Sequence, residues 1–241
     1  MDVRILLLQA RHREDTAKDE ERFSFAARLG VSEAQVVPYD LLSGTPTLQE
    51  IQDSDVLMIG GAGDFYVSKR DLPNFEALLQ LLVGVVDVGH PTFASCFGFH
   101  CLVEALGGKI VHDPFHSEVG TYQLTLTSHG QADPLLKKMP TEFLAQMGHK
   151  DRAENLPKSI VNLASSELCQ FQAFRIPDKP IWAFQFHPEL NPEDNRRRFI
   201  RYLDGYASYM SEEERLETLK RFRKSPETEQ LLPHFVKLIF G

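Results

Sequence analysis

The stretch FASCFGFH, residues 93–100, joins a short apolar segment to the start of a helical one. Residues 91–95 predict a buried strand, and residues 97–106 predict a helix that ends at the two glycines after it. Cys96 therefore lies on a sharp turn between a strand and a helix. Such a turn holds a nucleophile in an exposed, strained position and leaves the next backbone N–H free to bind an oxyanion. The positive end of the helix dipole also favours a thiolate at this point.

A lone cysteine is more often a small buried apolar residue than a nucleophile. Two other segments change that interpretation here: the glycine pair at residues 60–61, and QFHPE at residues 185–189. Cys101 and Cys169 have no comparable context, and both are predicted to be core residues. Cys96 is thus the one cysteine of the three that is predicted to act as a nucleophile.

The first half of the chain alternates strand and helix patterns. Apolar runs at residues 3–8, 35–39 and 55–59 predict buried strands. A helix with Phe23 on its apolar face is predicted to end at Gly30, and another helix is predicted at residues 72–83. This alternation predicts a doubly wound, mainly parallel α/β sheet with its site at the carboxyl ends of the strands.

The pattern changes after the helix that follows Cys96. Short strands separated by turns, between residues 110 and 186, predict a small antiparallel or mixed extension of the sheet. Residues 194–210 predict one amphipathic helix, and the arginines at 196–198 are expected on its solvated face.

The C-terminal residues predict further helices. Ser211 and Glu214 form a capping-box signature that opens one of them, and an apolar tail follows. We predict a main domain at residues 1–210 and an appended helical element at 211–241. That element is expected either to fold back on the domain or to be buried in a subunit contact, which would make the protein a homo-oligomer.

Composition excludes several classes of protein. With 241 residues, 42% of them hydrophobic, the chain can bury one large core, and its net charge of −8 argues against binding to nucleic acid or an anionic membrane. No stretch approaches the ~20 apolar residues of a membrane span. The chain has three cysteines, a low and odd number that argues against a disulfide framework. A cytoplasmic location is therefore predicted. No cofactor and no metal are predicted.

His187 and Glu189 could complete a nucleophilic site with Cys96. Residues 181–186 predict a strand, and His187 follows at its end. Glu189, two residues further on, can reach one ring nitrogen and leave the other facing the thiol. A thiolate needs such a base, and the base needs such an orienting group. Cys96, His187 and Glu189 are the predicted catalytic residues.

An oxyanion hole needs two backbone N–H donors aimed at one point. The N–H of Phe97, directly after the nucleophile, is one predicted donor. The second is expected from a glycine turn at the end of a neighbouring strand, and Gly61 occupies that place.

These segments together resemble the class I glutamine amidotransferases, in particular the stand-alone members that are similar to the glutaminase part of GMP synthase. The family's Gly-x-Cys-x-Gly-x-Gln corresponds to residues 94–100, and its Gly-Gly-Pro-x-Ser-x-Tyr to residues 60–66. Its His-Pro-Glu is intact at residues 187–189, and its Ser-His-Gly-Asp loop is similar to residues 148–151. The resemblance covers about residues 1–205 and, with the strand pattern, predicts a flavodoxin-like fold.

The resemblance also implies where the substrate binds. Carried over motif by motif, it assigns substrate contacts to five residues. They are Gly60, Tyr66, His100, Gly148 and His149.

Several positions depart from the family pattern. Ala62 replaces a proline, Lys150 replaces the glycine of the Ser-His-Gly-Asp loop, and His100 replaces the glutamine of the cysteine motif. A neutral imidazole offers one donor and one acceptor, whereas a glutamine side chain offers two donors and an acceptor. We therefore expect competent thioester chemistry with weaker specificity for free glutamine.

Three functions remain open from the sequence. The first is a glutaminase that releases ammonia from glutamine through a γ-glutamyl thioester, for a separate synthetase subunit. The second is a self-contained γ-glutamyl peptidase or hydrolase acting on another γ-glutamyl compound. The third is a binding module of the same fold that has lost catalysis; the intact triad residues argue against it.

Overall fold

The computed structural model describes residues 3–207 and 209–241, which form a nine-stranded sheet, a two-stranded sheet and surrounding helices. The strands are β1 (Ile5–Ala10), β2 (Val36–Asp40), β3 (Val56–Ala62), β4 (Thr92–Ser95), β5 (Lys109–His112), β6 (Glu118–Leu126), β7 (Glu142–His149), β8 (Asp151–Asn155), β9 (Val161–Ser165), β10 (Ala173–Arg175) and β11 (Ile181–Phe184). The large sheet has the order β2-β1-β3-β4-β11-β10-β9-β6-β7, and β5 pairs with β8.

Half of the large sheet is parallel. Strands β2, β1, β3, β4 and β11 all run in one direction, in the order expected of a flavodoxin-like sheet. Strands β10, β9, β6 and β7 continue it in antiparallel pairs. The predicted fold class is confirmed. Strand β11 pairs with β4, opposite Ser95 at Phe184, so the chain after both strands emerges at one edge.

Helices cover both faces of this sheet. They are α1 (Ala17–Leu29), α2 (Leu48–Gln52), α3 (Phe75–Val88), α4 (Phe97–Ala105), α5 (Ser128–Ala132), α6 (Pro192–Arg201), α7 (Asp204–Ala207), α8 (Glu212–Leu219) and α9 (Leu231–Phe240). Helices α3 and α4 pack on one face with residues such as Leu82 and Leu102, and α1 and α9 pack on the other with Phe25 and Phe235. Each face buries its own apolar layer, as both-sided burial of a parallel sheet requires.

The C-terminal residues fold back on the domain. Phe235 of α9 is fully buried, with its ring 5.3 Å from that of Phe93 and 5.9 Å from that of Trp182. The capping box that begins α8 is present, since Ser211 and Glu214 exchange hydrogen bonds. The domain boundary at residue 210 and the homo-oligomer stay predictions.

Two local predictions are wrong. Phe23 is 57% exposed because α1 turns Glu21 and Phe25 inward instead. The single helix predicted at 194–210 breaks after Arg201, where Tyr202 and Leu203 form a turn, and a short helix, α7, follows from Asp204. Three elements, α2, α5 and β8, were not predicted at all.

Candidate active site

Cys96 lies on the strained turn that the sequence predicts. It follows β4 and directly precedes α4, with φ 50° and ψ −99°, a region that only a constrained turn imposes on a residue with a side chain. Gly98 makes the turn possible because a Cβ there would lie 2.6 Å from Ile59 Cβ, in the neighbouring strand. The thiol is therefore held at the carboxyl edge of the sheet.

His187 and Glu189 form a hydrogen-bonded pair beside that thiol. Nδ1 of His187 lies 2.7 Å from Oε1 of Glu189, and the Cys96 sulfur lies close enough to the ring to act on its charge. All three residues are at least 92% buried. Burial alone would lower the pKa of His187, but the Glu189 carboxylate and the Cys96 sulfur raise it to about 9. The imidazolium form is thus stabilised between two groups that can carry negative charge.

Arg198 faces Glu189 from α6. Its side chain is 7% exposed, and its Nη1 lies 3.6 Å from Glu189 Oε1 and 3.9 Å from Glu21 Oε1. Burial would raise the pKa of Glu189, but His187 and then Arg198 lower it. The sequence prediction that residues 196–198 are all solvated is therefore wrong for Arg198, because the helix turns this residue toward buried carboxylates.

Gly61 approaches the histidine closely. A Cβ at Gly61 would lie 2.9 Å from Cε1 of His187, so a side chain there would displace the ring. The N–H of Gly61 donates to Oε1 of Glu21 at 3.1 Å. A Cβ at Gly60 would lie 2.6 Å from that same carboxyl group. The two glycines thus fit between His187 and the buried Glu21.

Glu21 is held by an ion pair inside the protein. It is fully buried, and Arg11 donates to it through Nη2 at 2.8 Å and through Nε at 3.3 Å. Arg11 also donates to the hydroxyl of Tyr202, directly after α6, at 2.7 Å. This network connects α1, the end of β3 and α6 around the site, and the sequence analysis did not find it.

A pocket of about 80 Å³ opens beside the thiol. Its wall includes four residues of the predicted site, Cys96, Phe97, His187 and Tyr66, together with Lys150 and Tyr206. This volume is several times the ~10–15 Å³ that a cavity needs to hold one water. That is room for a small polar side chain next to the nucleophile.

His100 lies in the pocket wall, one turn after Cys96 on α4. Its Nε2 is 2.6 Å from Oε1 of Gln185, and Asp151 lies close enough to the ring to act on its charge. Burial lowers the pKa of His100 to about 4, so the ring is neutral near pH 7. The predicted contact with substrate stays a prediction, since both of these partners of the ring belong to the protein.

The predicted loop over the substrate is the end of β7. Gly148 borders the site, since a Cβ there would lie 3.9 Å from Nε2 of His187. His149 lines the pocket but is 3% exposed and hydrogen-bonds Glu118 Oε2 at 3.0 Å. Among the described residues, the ligand atoms of Glu118, His149 and Cys169 lie within 4.8 Å of one another, close enough for a metal. Hydrogen bonds already join Glu118 to His149 and Gln172.

Comparison with known families agrees with this geometry. The family model described as "Glutamine amidotransferase class-I" matches residues 26–203, about three quarters of the chain. The chain belongs to the class I glutamine amidotransferases. The resemblance read from the sequence is therefore confirmed at the level of the family.

Its relatives in this family include parts of GMP synthases. The chain is 31% identical to a glutamine-hydrolyzing GMP synthase subunit of Thermoplasma volcanium over 166 residues, covering 67% of this chain and 73% of that one. It is 28% identical to the corresponding subunit of Methanocaldococcus jannaschii over 166 residues, covering 67% and 77%. It is 26% identical to the glutamine-hydrolyzing GMP synthase of Caldanaerobacter subterraneus, of which it spans only 30%.

Solved structures share the fold over the whole chain. A glutamine amidotransferase from Thermotoga maritima superposes with a TM-score of 0.73 at 19% identity, covering 99% of this chain and 98% of that one. One from Methylobacillus flagellatus gives a TM-score of 0.72 at 21% identity, covering 98% and 95%. Both thus include counterparts of the C-terminal helices.

Four charged residues at the amidotransferase site were missed from the sequence. They are Arg11, Glu21, Lys150 and Arg198. Of the four, only Lys150 could have been singled out from the sequence, because it replaces a glycine of the family motif. The other three lie in charged runs that are typical of solvated surface.

Proposed function

We propose that this protein hydrolyses the γ-amide of glutamine, with Cys96 as nucleophile, His187 as acid and base, and Glu189 as the group that orients His187. The observation that carries this proposal is the buried hydrogen bond between His187 and Glu189 beside the Cys96 thiol, at the wall of a pocket. Family membership supports the same reaction class.

The reaction follows from these contacts. The thiolate of Cys96 attacks the γ-carbonyl carbon and forms a tetrahedral intermediate. The imidazolium of His187 gives its proton to the leaving nitrogen, and ammonia departs as the C–N bond breaks. Water, deprotonated by the neutral His187, then attacks the γ-glutamyl thioester and releases glutamate. Glu189 stays ionised and holds the ring in place.

Two backbone donors are proposed for the oxyanion. Phe97 is the first residue of α4, so its N–H has no partner within the helix, and it borders the pocket. Gly61 is the second proposed donor. Because its N–H is bonded to Glu21, that role requires the hydrogen bond to be exchanged for the oxyanion when substrate binds.

The ammonia is proposed to serve a separate synthetase. Relatives that are named as individual subunits of GMP synthase support a division of the activity between chains, and this chain spans only 30% of one undivided relative. A self-contained γ-glutamyl hydrolase remains the second candidate, favoured by His100 where the family has glutamine. A cytoplasmic location fits the three free cysteines. No helix among the described residues is long and apolar enough to cross a membrane.

The test is to incubate the protein with glutamine and with a panel of γ-glutamyl amino acids, measuring ammonia, released amine and the mass of the protein. We expect glutamate and ammonia from glutamine, and a γ-glutamyl adduct on Cys96 that is absent in Cys96→Ala. Preference for a γ-glutamyl amino acid over glutamine would favour the hydrolase. Absence of turnover and of adduct with every substrate would overturn the proposal and leave the binding module.

A further inference from the structure

Lys150 is a buried cation in the wall of the proposed active site. It follows β7, is 8% exposed and borders the same pocket as Cys96. Its Nζ donates to the hydroxyl of Tyr66 at 2.7 Å and to the carbonyl of Gly205 at 2.9 Å. The ammonium also lies 4.0 Å from the centre of the Tyr206 ring. These contacts fix its position from both sides of the pocket.

The other long cationic side chains of the pocket are neutralised by carboxylates. Arg11 pairs with Glu21 at 2.8 Å, and Arg198 lies 3.6 Å from Glu189. The hydrogen-bond partners of Lys150 are both neutral oxygens. Within residues 3–207 and 209–241, no carboxylate oxygen forms an ion pair with it at 4.0 Å or less. The pocket therefore has a buried cation that no described carboxylate pairs with directly, although Asp64 and Asp151 act on it from further away.

One N–H group of the Lys150 ammonium is left after its two hydrogen bonds. A lysine ammonium has three N–H groups, and Tyr66 and Gly205 take two of them. Burying a charge without a counter-ion is unfavourable, and burial lowers the pKa of Lys150 to about 8. An anion in the pocket would accept the third hydrogen bond and restore the stability of the charged form.

We propose that Lys150 binds the α-carboxylate of the γ-glutamyl group while Cys96 attacks its γ-carbonyl carbon. The residue would thereby restrict the enzyme to γ-glutamyl compounds with a free α-carboxylate, whatever amine is attached at the other end. This inference rests on the proposed function, because it places the glutamyl group in the pocket beside Cys96. The glycine that the family motif has at this position offers no side chain for such a contact.

The experiment compares glutamine with its α-amide, which keeps the reacting γ-amide and lacks the carboxylate. In the unmodified protein we expect kcat/KM to favour glutamine by about 10- to 100-fold, the usual effect of one charged hydrogen bond in a site. In Lys150→Met that preference should fall to within about threefold, mainly through KM for glutamine. Lys150→Arg should keep a measurable preference. A Lys150→Met enzyme that keeps the full preference would overturn the inference.

Lys69→Met is the matched control. Lys69 also lies over the Tyr66 ring, at 4.1 Å from its centre, but it is exposed and does not border the pocket. Its loss should leave the preference unchanged. If Lys69→Met removes the preference as fully as Lys150→Met does, general disturbance of Tyr66 explains the effect and the inference is wrong.

A binding measurement separates this inference from the proposed reaction. Calorimetric titration of L-glutamate into Cys96→Ala needs no turnover, so it remains informative if glutamine is not hydrolysed. We expect glutamate to bind Cys96→Ala at least about tenfold more tightly than Cys96→Ala with Lys150→Met. Equal affinities would refute the role of Lys150, whereas absence of hydrolysis by the unmodified protein would refute only the proposed function.

The same titration carried from pH 7 to pH 9.5 reports the charge of Lys150. Glutamate affinity should fall above about pH 8 in Cys96→Ala, and less so when Lys150→Arg is added, because arginine stays charged. The groups that face Lys150 are the carboxyls of Asp64 and Asp151, the ammonium of Lys69, and the phenols of Tyr66, Tyr206 and Tyr209. The pKa of each phenol is raised, so all three stay neutral over this range. An identical pH profile in the arginine variant would contradict the assignment.

Discussion

Glu189→Gln tests the centre of the proposed mechanism with little change in shape. Glutamine is close in size to glutamate but carries no charge, and its amide can present an N–H toward His187 Nδ1, which lies 2.7 Å from the present carboxylate oxygen. The imidazolium then loses the negative charge that stabilises it, and the ring loses the hydrogen-bond acceptor that holds its orientation. We expect the fold to persist and the rate to fall.

The size of the loss follows from His187. Raising its pKa from 6.5 to about 9 corresponds to ~3 kcal/mol of stabilisation of the imidazolium, shared between Glu189 and Cys96. Losing most of that stabilisation in the transition state costs about 100-fold in kcat. Misorientation of the ring adds to this, up to the ~10⁴-fold seen for the equivalent change in serine triads.

The assay is glutaminase turnover at pH 7, together with the rate at which iodoacetamide alkylates Cys96. Both should fall in Glu189→Gln, because less thiolate is paired with an imidazolium. Glu20→Gln is the control, since Glu20 accepts hydrogen bonds from Arg201 outside the pocket. Turnover and alkylation within about threefold of the unmodified protein would refute the reasoning.

Three further predictions concern neighbouring residues. Gly61→Ala should lower kcat by about tenfold or more, since its Cβ would meet His187 Cε1 at 2.9 Å and displace the ring; an unchanged kcat would contradict this close approach. Arg198→Met should lower the free energy of unfolding by about 3 kcal/mol because it removes a positive charge that faces the buried carboxylates of Glu189 and Glu21. Arg197→Met, at an exposed position, should cost less than about 1 kcal/mol. Urea denaturation measures both, and equal losses would contradict the burial argument. The free energy of unfolding should also depend on pH in two ranges. It should fall from pH 6.5 toward 4, because the pKa of His100 is lowered to about 4 in the folded protein. It should also fall from pH 6.5 toward 9, because the pKa of His187 is raised to about 9 in the folded protein. His100→Gln should flatten the acid range only, and an unchanged acid range in this variant would show that His100 does not cause it.

The helices of the C-terminal region show why sequence patterns predict some contacts and miss others. The apolar residues of the last helix were visible, but two destinations were open, the domain or a subunit contact. In the structure, Phe235 packs on Phe93 and Trp182 of the same chain. An apolar face predicts that a helix is buried, but it does not predict which surface the helix packs against.

The sequence by itself determined the parts of the site that depend on neighbours along the chain. The strand, the turn at Cys96 and the helix after it follow from a local pattern, as does the placement of Glu189 two residues after His187. The alternation of strands and helices likewise determined the parallel half of the sheet. Each of these features arises from residues a few positions apart, where propensity and hydrophobic period act directly.

Only the tertiary structure decided which charged residues enter the site. Arg11 meets Tyr202, which lies 191 positions away, and Lys150 meets Gly205, which lies 55 positions away. The sequence marks such side chains as solvated because a charge is unfavourable in an apolar interior unless partners surround it. Those partners come from distant segments and are assembled only when the sheet and its helices close around the pocket, so no local pattern records them.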